Sequence, residues 1–375
     1  MKQVGIITYH HHYNYGTALQ AYALQKSVEA VSGKSCEIID YRAAEEKKLT
    51  KSQLIALRIR RMFVYVKEWR RVWCLKKYES VLEAKKPAFD KFFLDDYVVS
   101  ENVYHNYAEL KNNPPKYEIY VTGSDQTFSP KIGLNPAMFL AFAPEGAKKI
   151  AYAPSVGVST LTENEKKTIS NYLASYSELS CRESKGVELL KECVSNKDVQ
   201  LVVDPTLLLD ANDWNQIAVK PNIQGKYILC YFIGHRKYYR DYARKLSEQT
   251  GYPLYFIPVS WMDLEKQNNM LSTAGPKEFL GLIRDAAIVL TDSFHGTIFS
   301  INYRKDFYSF LKIKGGSAAL DNSRISGILD RLGLKDRLLD ENSPVSFSHV
   351  DYTVAGQKLE EERELSKEYL KKALQ

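Results

Sequence analysis

Two successive alternations of short apolar strands with helical stretches, separated by a polar stretch at 211–225, predict an α/β chain of two Rossmann-like units facing a cleft. A strongly charged stretch with helical spacing at 356–374 adds a C-terminal helix. At 375 residues the chain has room for two domains and for a core that needs no staples. Hydrophobic residues make up 45% and charged residues 26%, which excludes a disordered, collagenous or coiled-coil main architecture. The longest apolar runs, such as 137–143, fall far short of the roughly 18–20 residues that span a bilayer.

The elements follow in order. Residues 4–8 form a short apolar, β-rich run, which reads as a strand rather than a secretory leader. Leu19, Tyr22, Ala23, Lys26 and Ala30 put 17–31 on a helix, and 36–39 is the next strand. Short apolar strands follow at 117–122, 150–155, 178–181 and 199–203, with helices at 162–175 and 184–193. Asp204-Pro205 ends the last of them, and 211–225, with Pro221 and Gly225, suits a linker. The second alternation has strands at 227–233, 254–258 and 287–291 and helices at 237–250, 276–284 and 295–303. The expected organisation is a first unit at 1–210, a linker at 211–225, a second unit at 226–350 and a terminal helix at 351–375. This organisation suggests the glycosyltransferase-B architecture, with its site expected between the units. In open α/β sheets ligands sit beyond the carboxyl ends of the strands.

Charge is unevenly spread. The formal net charge is +7, yet residues 47–91 alone carry 14 basic and four acidic residues. Trp69 and Trp73 lie there among Arg58, Arg60, Arg61, Arg70 and Arg71. The first unit therefore carries a basic helical excursion at 47–95. Two readings stand: a solvated basic face, or contact with an anionic membrane surface. No nucleic-acid motif accompanies the charge, so nucleic acid is not expected as a partner. Cys36, Cys74, Cys181, Cys193 and Cys230 show no paired spacing, which fits buried thiols in a reducing, cytoplasmic setting.

The strand ends carry the polar groups. His10-His11-His12-Tyr13-Asn14-Tyr15-Gly16 follows the first strand. Consecutive histidines on a loop cannot all face one ion, so no metal is expected, and a polar loop lining the cleft is the better reading. Gly123-Ser124-Asp125-Gln126 follows 117–122 and is either a helix-capping turn or a hydroxyl-binding loop, with Asp125 as acceptor or base. Arg182, after 178–181, is placed to grip a phosphate or carboxylate, or else to form a salt bridge. Asp292-Ser293-Phe294-His295-Gly296-Thr297, at a strand-to-helix junction, combines a titratable imidazole with an anion-attracting helix N-terminus. Gly315-Gly316 and Asn322-Ser323-Arg324 read as a flexible polar stretch offering another arginine. No Walker A, GxGxxG, GxSxG or zinc signature is present.

Several of these blocks together resemble one family. Val4-Gly5-Ile6-Ile7-Thr8, Asn14-Tyr15-Gly16, 19–25, Gly123-Ser124-Asp125-Gln126, Cys181-Arg182-Glu183-Ser184, Asp204-Pro205-Thr206-Leu207-Leu208 and Thr291-Asp292-Ser293-Phe294-His295-Gly296 are similar to the blocks of the polysaccharide pyruvyl transferases. The resemblance implies transfer of pyruvate from phosphoenolpyruvate, as co-substrate and without a cofactor, to a hexose. The product is a ketal within a bacterial capsular or exopolysaccharide or its lipid-linked precursor. It also implies His295 as the catalytic residue and Arg182 as a donor-binding residue. Ser293, Phe294 and Gly296 would complete the donor side in the second unit, and His10, Asn14, Gly16, Ser124, Asp125 and Gln126 the acceptor side in the first. Ser293-Phe294-His295 departs from the family's Arg-Leu-His, and Arg324 or Arg236 is expected to replace the missing arginine. A lipid-linked acceptor would place the enzyme in the cytoplasm at the inner face of the plasma membrane, held by 47–91. Two alternatives remain: a nucleotide-sugar glycosyltransferase of the same fold, with Asp292 or Asp321 on the ribose, and a non-catalytic glycan-binding relative.

Overall fold

The computed structural model describes residues 2–42, 79–264, 269–312 and 318–375, with backbone alone at 261 and 318–321. Strand β1 (Val4–Ile7) is buried at every position, as a parallel strand covered on both faces must be. It is the middle strand of a five-stranded parallel sheet. On one side lie β2 (Cys36–Tyr41) and then β3 (Val99–Tyr104); on the other lie β4 (Ile119–Thr122) and then β5 (Lys148–Ala151). β6 (Leu179–Cys181) and β7 (Val199–Leu201) pair in parallel, and a bridge between Ile150 and Glu178 ties them to β5.

A second parallel sheet has the order β10-β9-β8-β11-β12-β13. Its strands are β8 (Ile228–Tyr231), β9 (Leu254–Phe256), β10 (Asn269–Met270), β11 (Ile288–Thr291), β12 (Asp306–Phe310) and β13 (Leu338–Leu339). Strand order reverses between β1 and β4 in the first sheet and between β8 and β11 in the second. These are the two positions where such sheets open a crevice. The chain is thus α/β with two Rossmann-like sheets, the glycosyltransferase-B-like class expected from the sequence.

The C-terminal helix, Tyr352–Ala373, joins the two halves. Tyr369 donates to the Ala151 carbonyl at 2.9 Å and Ser366 Oγ accepts from Val203 N at 2.9 Å. Arg363 is 2% exposed and donates to the Leu207 carbonyl and to Asn302 Oδ1. The expected linker opens on a short helix, Ala211–Asn215, which buries Trp214 and pins it to the Thr206 carbonyl at 3.0 Å.

Several elements differ from the sequence reading, the short β10, β13 and the helix Tyr107–Asn112 among them. The edge strand β3 is missing from it because its middle residues face solvent and give no apolar run. β12 escaped it as well. Asn322 and Arg324 lie on a helix, Ala318–Leu332, and not on a flexible stretch. Ile325, Ile328, Leu329 and Leu332 bury one face of that helix, and the polar residues that suggested a loop are its other face; Gly315-Gly316 lies outside the described residues.

Most of the basic excursion, including Trp69, Trp73 and Cys74, lies at 43–78, outside the described residues. Its described end is the helix Lys86–Asp95. Phe89, Phe92 and Phe93 there are buried, with rings against Tyr15, Tyr22 and Tyr97, so this face belongs to the core. Cys36, Cys181, Cys193 and Cys230 are free and buried. No helix among the described residues is long and apolar enough to cross a membrane.

Candidate active site

Two helix N-termini meet at the carboxyl ends of the sheets. The first helix, Tyr15–Ser32, starts after β1; Asn14 caps it by accepting from Gly16 N at 3.0 Å and Thr17 N at 3.2 Å. The second, Phe294–Asn302, starts after β11; Ser293 caps it through Oγ, which accepts from Gly296 N at 3.3 Å. His295 packs against Gly16 across the gap. A Cβ on Gly16 would lie 2.0 Å from His295 Nδ1, so only glycine admits the imidazole.

A cleft of about 400 Å³ opens here. From the first half it is lined by Tyr9, His12, Asn14, Thr17, Asp125, Gln126 and Ile132. Ile233, Ser293, Phe294, His295, Lys312 and Arg324 close it from the second half. Lys312 follows β12, and its backbone is held by the Asn322 amide, which accepts at 2.7 Å and donates at 2.8 Å. Two cations of the second half therefore face two helix N-termini, an arrangement that attracts anions.

Behind His295 lies a buried charge network. Arg182 NH1 donates to Asp204 Oδ2 at 2.6 Å and to Ser124 Oγ at 3.2 Å. Its NH2 lies 3.6 Å from Asp125 Oδ1 and its Nε 3.4 Å from Glu183 Oε1. The side chains of Arg182 and Asp204 are both fully buried. Phe294 covers the guanidinium, 5.1 Å from its ring centroid. Asp204 Oδ2 is 3.8 Å from His295 Nε2, and that nitrogen, itself buried, has no hydrogen-bond partner among the described residues.

Electrostatics follow from this placement. Burial lowers the His295 pKa; Asp204 opposes the drop and Arg182 reinforces it. The imidazole is therefore neutral at pH 7. Burial pushes the Asp204 and Asp125 carboxyls up, but Arg182 and His295, with hydrogen bonds from Thr206 to Asp204 and from Thr17 to Asp125, hold both below the usual range. Asp125 adopts a left-handed backbone, φ 68°, and Thr17 Oγ1 donates to its Oδ2 at 2.8 Å. The GSDQ block is thus not a helix cap; it turns Asp125 toward the cleft.

The expected site residues divide accordingly. His295, Ser293, Phe294, Arg324, Asn14, Asp125 and Gln126 line one cleft, and Gly16 seats the imidazole. Arg182 does not face the cleft. It is 3% exposed and ion-paired with Asp204, Glu183 and Asp125, while its buried NH2 has no hydrogen-bond partner among the described residues. Ser124 is buried in the same network, with Oγ also donating to the Ala153 carbonyl at 2.8 Å. Gly296 is buried because a Cβ there would lie 2.4 Å from Thr291 Oγ1, and its N–H is used by Ser293. Arg236 stands at the N-cap position of the helix Lys237–Thr250 without a side-chain capping bond and is exposed, away from the cleft lining. His10 is 2% exposed, between the Thr8 carbonyl at 3.2 Å and Asp40 Oδ1 at 3.1 Å, and stands outside the cleft. Asp292 accepts from Ile233 N at 2.6 Å and Gly234 N at 2.8 Å, so it is committed to the loop after β8 and not open to a ribose. The Asp321 side chain lies outside the described set.

Sequence reasoning missed Tyr9, Thr17, Lys312 and Asp204. The signal for Asp204 was Asp-Pro at a strand end, read there as a stop and as part of a family block but given no role in the site. Lys312 had no local signal, because β12 was not recognised.

No curated protein sequence matches the chain. Among solved structures it is similar to MnaA of S. aureus with UDP, at 11% identity, covering 96% of this chain and 88% of that one with a TM-score of 0.49. It is also similar to the Methanocaldococcus jannaschii UDP-GlcNAc 2-epimerase (12%, 95% and 98%, TM-score 0.44) and to E. coli heptosyltransferase WaaC with ADP (13%, 96% and 99%, TM-score 0.41). Likeness at this level leaves function open. The family model described as polysaccharide pyruvyl transferase matches residues 14–311, from the cap of the first helix to the end of β12. With the Asn14, Asp125, Arg182, Asp204 and His295 blocks all inside that span, the chain belongs to the polysaccharide pyruvyl transferase family.

Proposed function

We propose that the protein transfers pyruvate from phosphoenolpyruvate to a hexose of a bacterial surface polysaccharide or its lipid-linked precursor, forming a cyclic ketal. The observation that carries this reading is His295: a neutral imidazole whose buried Nε2 lacks a partner, set between two helix N-termini and facing Lys312 and Arg324. An unpaired buried nitrogen costs about 1–3 kcal/mol, and a substrate hydroxyl entering the cleft would supply the missing partner.

The chemistry requires two C–O bonds at one donor carbon. His295 takes the proton of the first sugar hydroxyl and passes it to the donor's methylene carbon, which becomes a methyl group. The hydroxyl oxygen bonds to the adjacent carbon. Phosphate leaves from that carbon, the second hydroxyl adds in its place, and the second hydroxyl's proton leaves with the phosphate. Asp204, 3.8 Å from Nε2, stabilises the transient imidazolium. Lys312 and Arg324 hold the donor's carboxylate and phosphate, and the Phe294–Asn302 helix N-terminus offsets charge on the departing phosphate. Asn14, Asp125 and Gln126 face the acceptor from the first half. In this reading Arg182 is a positioning residue, and Lys312 with Arg324 takes the place of the family's missing arginine.

Peripheral contact with an anionic inner membrane leaflet through 47–91 is the finer part of the proposal, supported by charge alone. Flotation with anionic liposomes at low salt tests it; a protein left at the bottom of the gradient removes it.

The main test is inorganic phosphate release from phosphoenolpyruvate with a panel of galactosides and mannosaminides, for wild type and His295→Ala. Sugar-dependent release lost in the variant supports pyruvyl transfer. Thermal protection by nucleoside diphosphates and none by phosphoenolpyruvate would instead favour a nucleotide-sugar glycosyltransferase.

A further inference from the structure

A second cavity, of about 560 Å³, lies beside the cleft on the first half of the molecule. Tyr9, His12 and Ile132 line both, so the two spaces share a wall and adjoin. The cavity is bounded further out by Tyr41, Tyr107 and Asn135, with His105 at its exposed rim. The reaction above does not use it, although His10, which the resemblance put on the acceptor side, lines it.

Its described lining is aromatic and amide-like, and the Arg42 charge on its wall is paired with Asp40. Arg42, the cation on its wall, forks onto Asp40, with Nε to Oδ1 and NH2 to Oδ2 both at 2.7 Å. His10 holds the same carboxylate from the other side at 3.1 Å. Burial lowers the pKa of His11, with Arg42 and His10 adding to the drop, so this imidazole is uncharged at pH 7. Asn135 is oriented by a hydrogen bond to Tyr41 Oη at 3.3 Å. Among the described lining residues the one guanidinium a phosphate would meet is that of Arg42, whose Nε and NH2 are already given to Asp40. A sugar ring has apolar C–H faces and a rim of hydroxyls, which match tyrosine and imidazole faces interleaved with an amide.

We propose that this cavity is a subsite for a neutral saccharide unit adjoining the hexose that is modified, so that the enzyme selects an oligosaccharide over a monosaccharide. The proposal rests on the cleft being a saccharide site. It does not need the donor, so the test omits it.

The full-length protein is applied to an array of neutral and anionic oligosaccharides, and the best neutral disaccharide and its terminal monosaccharide are compared by calorimetry. The disaccharide is expected to bind at least about tenfold tighter. Tyr107→Ala and His105→Ala, which alter residues outside the catalytic cleft, should each reduce that advantage while leaving monosaccharide affinity unchanged; Tyr107→Phe should keep it. Equal binding of the two sugars overturns the proposal, as does preference for anionic glycans, absence of any neutral ligand, or a full advantage retained in both alanine variants with unaltered melting. These readouts precede chemistry. Failure of phosphate release with intact disaccharide selectivity would count against pyruvyl transfer and leave the subsite standing.

Discussion

A Cβ on Gly16 would lie 2.0 Å from His295 Nδ1, which locks the start of the first helix to the imidazole on the facing helix. The catalytic candidate of one half is thus seated by a backbone position of the other. Gly16→Ala should displace the imidazole or wedge the halves apart. Misplacement by about 1 Å can cost on the order of 10²-fold in rate. Steady-state kinetics should show a kcat loss of that order with circular dichroism unchanged; wild-type kinetics would show that the two residues are not coupled.

His295→Ala should lower kcat by about 10²–10⁴-fold, the range for loss of a positioned acid–base group. The pH dependence has a definite sign. Burial places the imidazole pKa below its ordinary value of 6.5, and the neutral form starts the reaction. For wild type, kcat/KM should therefore rise with pH through a pKa below 6.5 and level off above it. A rate that falls across the same window would mean that the protonated form is required.

Asp204→Asn should have two effects. It leaves Arg182 buried without its shortest partner, and breaking such a pair typically costs about 3–5 kcal/mol. Asp204 also raises the His295 pKa, so its removal should move the acidic limb of kcat/KM to lower pH. The sign of the stability term follows from the lowered carboxyl pKa of Asp204. Its contribution is present above the unfolded value of about 3.9 and is lost as pH falls through the folded value. Denaturant titrations at pH 7 and across the acid range check both; equal stability of variant and wild type at pH 7 would remove the network from the argument.

Lys312→Ala and Arg324→Ala should each raise the donor KM with little effect on acceptor KM. A charge-assisted hydrogen bond contributes about 1.5–3 kcal/mol, equivalent to roughly 10–150-fold. Arg236→Ala serves as a control, because that residue is exposed and outside the cleft lining. A control variant as impaired as the other two would place the donor elsewhere.

Much of the fold is legible along the chain. The strands beginning at Val4 and ending at Thr291 are continuous apolar runs, and the helix containing Leu19 repeats apolar residues at helical spacing, so each is read locally. β3 and β12 are not. β3 is an edge strand with three consecutive exposed residues, and 318–332 shows its polar face in sequence where it buries Ile325, Ile328, Leu329 and Leu332 in space. The candidate site was legible in the same degree. His295, Ser293, Asn14 and Asp125 stand at strand ends and were found by that rule. Lys312 follows a strand, β12, that local pattern did not reveal.

What the sequence by itself determined was the class of fold and the address of the chemistry, because hydrophobic periodicity and glycine-rich strand ends are local properties. Only the tertiary structure decided which polar side chains face the cleft. Arg182 and Gln126 each follow a strand, yet Arg182 is enclosed by three carboxylates and Gln126 lines the cleft. His10 and His295 are both imidazoles after a strand, yet one is held by Asp40 and the other keeps an unpaired nitrogen. Direction, burial and charge state come from partners tens to hundreds of residues away, and no local pattern of residues encodes those distances.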